Sequence, residues 1–271
     1  MKTNTTKNTI LGITMISLLS TSLFALTDTE NLVLDFAKKQ FEKSNVKPEN
    51  LRVINTHHIT ENWDSVNIAY DIVDKSGKKH HQEESVLVSD NYMVSDAINL
   101  KDMSTLRGKL VHFDKSIYAK DHLLFGDMNA KNKIVVFSDP FCPICRDEFP
   151  KIKEKLQDKD AALFMYQIPL ERLHPAAKTT ILHILASKDK NAAIEKVYNA
   201  QDAKLIYQKT DFDTINKWFT KVTGEKISYN EVFSEENKKK LQQNIEFAKK
   251  LRVSGTPFIF KNGQHVLQLS L

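Results

Sequence analysis

The 271 residues carry 39 lysines and arginines against 34 aspartates and glutamates, a net charge of +5 with both signs interleaved. That balance describes an ordinary solvated surface and offers no basic stripe to a nucleic-acid partner. Only two cysteines occur, too few for a disulfide scaffold or a four-cysteine zinc site.

The N-terminus has the three parts of a secretory signal. Lys2 and Lys7 form a basic start, residues 10–19 are apolar, and Ser20, Ser22 and Ala25 are small, which predicts cleavage after Ala25. Leu23 is a mediocre residue three positions before that cut, and an uncleaved anchor is the alternative, although the apolar run is short for a membrane span. Removal of residues 1–25 leaves roughly 246 residues, enough for two domains.

Residues 26–100 read as a helix followed by strands. Leu32, Val33, Phe36, Ala37 and Phe41 recur at helical spacing on an element that ends before Pro48. Residues 51–59, 63–73, 84–88 and 92–98 have strand character, with Asp74, Lys75, Ser76 and Gly77 as a hairpin turn. A sheet this small has exposed edges and little core, so it would gain from pairing with a second copy. His57 and His58, like His80 and His81, are neighbours on a strand and point to opposite faces, so neither pair converges on one metal ion. Residues 101–119 contain Met103, Leu106, Leu110, Val111 and Phe113, a spacing that suits a linker helix.

From about residue 120 the pattern alternates strand and helix. Strands are expected at 122–125, 133–137 and 162–168, helices at 175–185, 192–198, 213–222 and 234–251, then strands at 258–260 and 266–269 around an Asn262-Gly263 turn. This predicts an α/β sheet with a helical insertion at about 172–251.

The two cysteines stand as Cys142-Pro143-Ile144-Cys145, between the β-branched and aromatic run Ile134, Val135, Val136, Phe137 and a stretch with Phe149, Ile152 and Leu156 at helical spacing. Cys142 therefore falls where a strand ends and a helix begins, with orphan N–H groups and the positive helix end aimed at its sulfur. That setting favours the thiolate, the species that attacks disulfides, and predicts that Cys142 is the more acidic and the more exposed of the two thiols, with Cys145 a turn inside. Cys145 is placed to close a small ring and release what Cys142 has captured. This is a redox dithiol. No cofactor or metal is called for: half a zinc site is the competing reading, but no further cysteine exists and the nearest histidine, His174, lies beyond the next helix.

These residues resemble the thioredoxin superfamily, and within it the periplasmic disulfide isomerases of the DsbC/DsbG type. The run from Val136 to Cys145 is similar to that family's active-site strand and turn. Lys188, Asp189, Lys190, Asn191, Ala192 and Ala193 resemble its helical insertion. Val253, Ser254, Gly255, Thr256 and Pro257, then Asn262-Gly263, resemble its proline loop and closing hairpin. The resemblance implies a thioredoxin fold with a helical insertion over 120–271, a small α+β dimerisation domain over 26–100 and a linker over 101–119. It makes Cys142 the nucleophile and Cys145 the resolving thiol, with Pro143 and Ile144 as the active-site dipeptide. It makes Pro257 cis, with Thr256 beside the dithiol offering backbone groups to an extended substrate.

Two departures stand out. Ile144 adds no cation beside the thiolate, and Val136 occupies a place where some relatives carry a buried acid, so proton transfer at Cys145 must use water, backbone or another group. The sequence also stops at Leu271, directly after the hairpin, without a terminal helix over that face of the sheet. Either the terminus is altered or truncated or another element covers the surface.

The implied function is a homodimeric periplasmic isomerase that rearranges wrong disulfides in misfolded exported proteins, recycled by a membrane redox partner. An oxidase that donates its disulfide to reduced exported proteins is the alternative, and a holdase-like chaperone the third.

Overall fold

The computed structural model describes residues 26–267 and 269, apart from 45, 75, 112 and 158; the expected signal segment, and Lys75 of the predicted turn, lie outside them. Two sheets organise the chain.

The first is a meander of four antiparallel strands, β1 (Glu49–Thr60), β2 (Trp63–Val73), β3 (Lys79–Ser89) and β4 (Tyr92–Val94), in the order β1-β2-β3-β4. Helix α1 (Asp28–Lys43) lies on one face, opened by a capping box in which Thr27 and Glu30 satisfy each other's backbone N–H. Its packed face differs from the expected one. Val33, Leu34, Ala37 and Phe41 meet Val66, Ile68 and Tyr70 of β2, whereas Leu32 and Phe36 are exposed. Strand β3 starts earlier than expected and β4 is shorter. The expected histidines sit beside carboxylates: His58 Nδ1 is 2.7 Å from Asp64, His80 Nε2 is 2.8 Å from Asp74, and His81 Nδ1 is 2.8 Å from Asp71. No cluster able to hold a metal ion occurs among the described residues.

The predicted linker helix over 101–119 does not form. That stretch makes two short 3-10 turns, Arg107–Leu110 and Lys115–Ile117, and runs along the far end of the chain instead. Ser104 bridges Val266, the Thr105 N–H donates to the His265 carbonyl at 3.0 Å, and a Cβ on Gly108 would come within 2.9 Å of His265. Backbone committed to a strand-like partner cannot also close a helical ladder. Arg107 and Arg252 reach across to Ser85 of β3, so the stretch and the segment before the proline loop are tied to the first sheet.

The second sheet has the order β5-β7-β6-β8-β9, formed by β5 (Leu123–Gly126), β6 (Asn132–Ser138), β7 (Ala161–Gln167), β8 (Phe258–Lys261) and β9 (Gln264–Val266). Strands β6 and β7 are parallel and the other neighbours antiparallel. The period of two explains why the centre of β6, residues 134–137, is a continuous apolar run with both faces covered. Ile134 and Val136 join Ile152 and Leu156 of helix α2 (Pro143–Leu156) on one face, and Val135 and Phe137 join Ala248 and Leu251 on the other. Asn262 and Gly263 both have positive φ, 50° and 86°, the backbone of a type I′ hairpin turn. Leu269, 4% exposed, packs on the α2 face beside Val266, and its carbonyl accepts from Lys155.

Between β7 and β8 lie five helices: α3 (Ala177–Ala186), α4 (Lys190–Asn199), α5 (Phe212–Thr223), the unpredicted single turn α6 (Tyr229–Val232), and α7 (Glu235–Lys250). Asp189, Asp211, Ser228 and Ser234 cap four of them through the next turn's N–H groups. Their apolar faces form one core with Phe141, Cys142, Cys145 and Phe149, so the dithiol sits in the seam between sheet and helical insertion. This is an α/β thioredoxin fold with a helical insertion.

Candidate active site at the start of helix α2

Strand β6 ends at Ser138, and the next three residues turn the chain into α2. Asp139, fully buried, shapes that turn: its carboxylate accepts from the N–H of Phe141 and of Leu170, each at 2.7 Å, and His174 Nδ1 lies 3.2 Å away. The Cys142 N–H donates to the Asp139 carbonyl at 3.1 Å. Cys142 is the N-cap of α2, and Pro143 follows at the first helical position, where a missing N–H costs nothing. Arg146, a turn inside, donates to the carbonyls of Pro140 (3.0 Å), Val197 (2.7 Å) and Ala200, fastening the active-site turn to the end of α4.

Both thiols are free and buried, Cys142 at 6% exposure and Cys145 at 2%. Cys142 is the more exposed of the two, as expected, though the core formed by Phe141 and the insertion closes around both, and Ile144, 62% exposed, is the open side of the dipeptide. The two sulfurs are driven apart in acidity. Cys142 is lowered to about 5, first by a hydrogen bond from the Cys145 thiol, then, against the opposing cost of burial, by the N–H of Cys145, Thr256 and the N–H of Ile144. Cys145 is raised well above the ordinary thiol range, first by its bond to Cys142 and next by burial. One proton is shared out unequally: Cys142 holds the charge and Cys145 the hydrogen.

The Thr256–Pro257 peptide is cis. The Thr256 carbonyl lies 3.4 Å from Cys142 Sγ, within reach of the thiol when that sulfur is protonated, and its buried hydroxyl, beside both sulfurs, has no hydrogen-bond partner among the described residues. The structure thus brings Cys142, Cys145, Thr256 and Pro257 together, with Pro143 and Ile144 on the rim. A cavity of about 660 Å³ opens beside the nucleophile, lined by Phe141, Pro143, Arg146, His174, Lys204 and Tyr207. The paired histidines of the first sheet take no part.

Sequence reasoning missed Asp139, Arg146 and His174. Asp139 had a local signal, a carboxylate three residues before a helix N-cap; two of the three partners of Arg146, Val197 and Ala200, lie more than 50 positions away and had none. Chemically, an acidic thiol held as the thiolate, a protonated neighbour and a carbonyl edge can attack a disulfide, hold the mixed disulfide and resolve it.

Residues 119–270 match the family described as Thioredoxin. No curated protein matches the chain. Similar solved structures include Proteus mirabilis ScsC, at 21% identity over 56% of this chain and 68% of that one with a TM-score of 0.45. A periplasmic thioredoxin-like protein of Salmonella enterica serovar Typhimurium shows 19% identity over 57% and 88%, TM-score 0.45. BdbD of Bacillus subtilis shows 20% identity over 53% and 83%, TM-score 0.42.

Proposed function

This chain belongs to the thioredoxin family, and we propose that it is a thiol–disulfide oxidoreductase of the periplasm that rearranges wrong disulfides in exported proteins. The observation that carries this reading is the opposed pair of thiols beside Thr256: Cys142 lowered to about 5 and Cys145 raised. Cys142 attacks a substrate disulfide and forms a mixed disulfide. A substrate thiol then displaces it, which completes an isomerisation, or Cys145 does so and leaves the enzyme oxidised.

The same acidity supports a second reading, a disulfide donor, because stabilising the reduced thiolate makes the oxidised form a stronger oxidant. The first sheet favours the isomerase. It adds nothing to the reaction centre and carries exposed apolar side chains, Tyr92 at 74% and Ile54 at 43%, on its two edge strands, the surface of a chain that pairs with a second copy. Two catalytic units facing one cleft would hold a misfolded substrate through repeated rounds of exchange. A membrane-bound reductase would return Cys142 and Cys145 to the thiol form.

The test is the thiol state of the two cysteines in growing cells, trapped by acid and alkylation, beside refolding of a scrambled multi-disulfide protein. Mostly reduced thiols and recovery of the scrambled protein support the isomerase. Mostly oxidised thiols, with activity only on reduced substrates, support the donor.

A further inference from the structure

The resolving cysteine has to lose a proton inside the core, and Val136, behind the dithiol, provides no acid to take it. A pair of hydroxyls stands there instead. Ser138, the last residue of β6 and 1% exposed, shares a small cavity of about 10 Å³ with Cys145, Glu148 and Pro257, and its hydroxyl faces the Cys145 sulfur. Tyr198 of α4, 2% exposed, donates its phenolic hydrogen to Ser138 Oγ at 2.8 Å. Burial holds the phenol protonated far above its ordinary range. A serine hydroxyl has one hydrogen and two lone pairs. With a lone pair occupied by Tyr198, the hydrogen is left for the sulfur.

We propose that Ser138, oriented by Tyr198, is the hydrogen-bond donor that stabilises the Cys145 thiolate while it resolves the mixed disulfide, Ser138 standing beside Cys145 in the same small cavity and Tyr198 acting as a positioning residue. This deepens the thiol-exchange reading and rests on it. In the step concerned, Cys145 gives up its proton and its sulfur attacks Cys142 Sγ. The Cys142–Cys145 bond forms as the bond from Cys142 to the substrate sulfur breaks. The electron pair leaves with that sulfur, which takes up the proton Cys145 released, so one disulfide is exchanged for another.

The need for such a donor appears when Cys142 is occupied. In the resting pair the largest influence raising Cys145 is its bond to the Cys142 sulfur; in the mixed disulfide that sulfur carries no charge, and burial is left to oppose the donors. Those facing Cys145 are Ser138 and the Asp139 N–H from the β6 side and Thr256 from the proline loop. The other titratable groups around it are Glu148 on α2, Tyr198 on α4, and Asp139 with its neighbour His174.

The experiment is stopped-flow reaction of the reduced full chain with 5,5′-dithiobis(2-nitrobenzoate) from pH 5 to 9. The first coloured thiolate reports attack by Cys142 and the second reports resolution by Cys145. Ser138→Ala should leave the first phase unchanged, slow the second about tenfold at pH 7 and move its pH midpoint upward by about one unit, the effect of a hydrogen bond to a charged group. Tyr198→Phe, which keeps the ring in its packing, should shift the second phase the same way by about threefold. If Ser138→Ala does not fold, Tyr198→Phe decides alone. Folded variants whose second phase keeps the wild-type midpoint overturn the proposal and leave the exchange reading standing. A wild-type chain that never releases the second thiolate overturns both.

Discussion

The two sheets of this molecule are built on opposite terms. The second is closed on both faces, by α2 and Leu269 on one side and by residues around α7 on the other, and every residue of β7 is buried. The first has one apolar face under α1, one long edge strand, β1, one short one, β4, and apolar side chains left in solvent. A site that must hold two sulfurs in unlike protonation states needs fixed donors and excluded water, and the closed sheet supplies them. A surface meant for another chain needs unfinished edges. On the proposed function, chemistry belongs to one region and assembly to the other, and each substitution below bears on that division.

The largest effect is expected at the thiols. Cys142→Ser should abolish disulfide exchange and trap no substrate, whereas Cys145→Ser should accumulate mixed disulfides, visible as shifted species on non-reducing gels. If Cys145→Ser traps nothing, it is not the resolving thiol. Next comes the turn that presents them. Arg146→Met leaves three carbonyls without their shared donor and should cost about 2–3 kcal/mol in urea unfolding; an unchanged midpoint would mean the turn is held without it.

Thr256→Val keeps the β-branched shape and deletes a hydroxyl that faces both sulfurs. A shift in reduction potential of about 30 mV is expected, equivalent to about 1.4 kcal/mol for two electrons, measured against glutathione. An unmoved potential would make the hydroxyl a bystander and weaken the case for tuned isomerisation. The smallest effect on chemistry should come from the first sheet: Tyr92→Lys on edge strand β4 should leave Cys142 reactivity as it is while light scattering reports loss of the dimer. Altered thiol reactivity in that variant would break the division between the regions.

The sequence made legible what local pattern controls. Four apolar residues in a row placed β6, Cys142-Pro143-Ile144-Cys145 placed the start of α2, and Asn262-Gly263 placed the last hairpin. Hidden were the features decided at long range. The stretch over 101–119 has helical spacing, yet its partners Val266 and His265 lie about 160 positions away and win its backbone. The face of α1 slipped because the sheet selects Leu34 over Leu32 and Phe36. Tyr198 meets Ser138 across 60 positions, and nothing in either neighbourhood announces it.

The most direct test of the activated nucleophile is the rate of Cys142 alkylation by iodoacetamide in the reduced wild-type chain, followed by peptide mass spectrometry from pH 4 to 9. A thiol lowered in the fold is ionised above its folded value, so the rate should rise through a midpoint near 5 and be flat by pH 7. A midpoint near the free-cysteine value of about 8.5 would contradict the account at its centre.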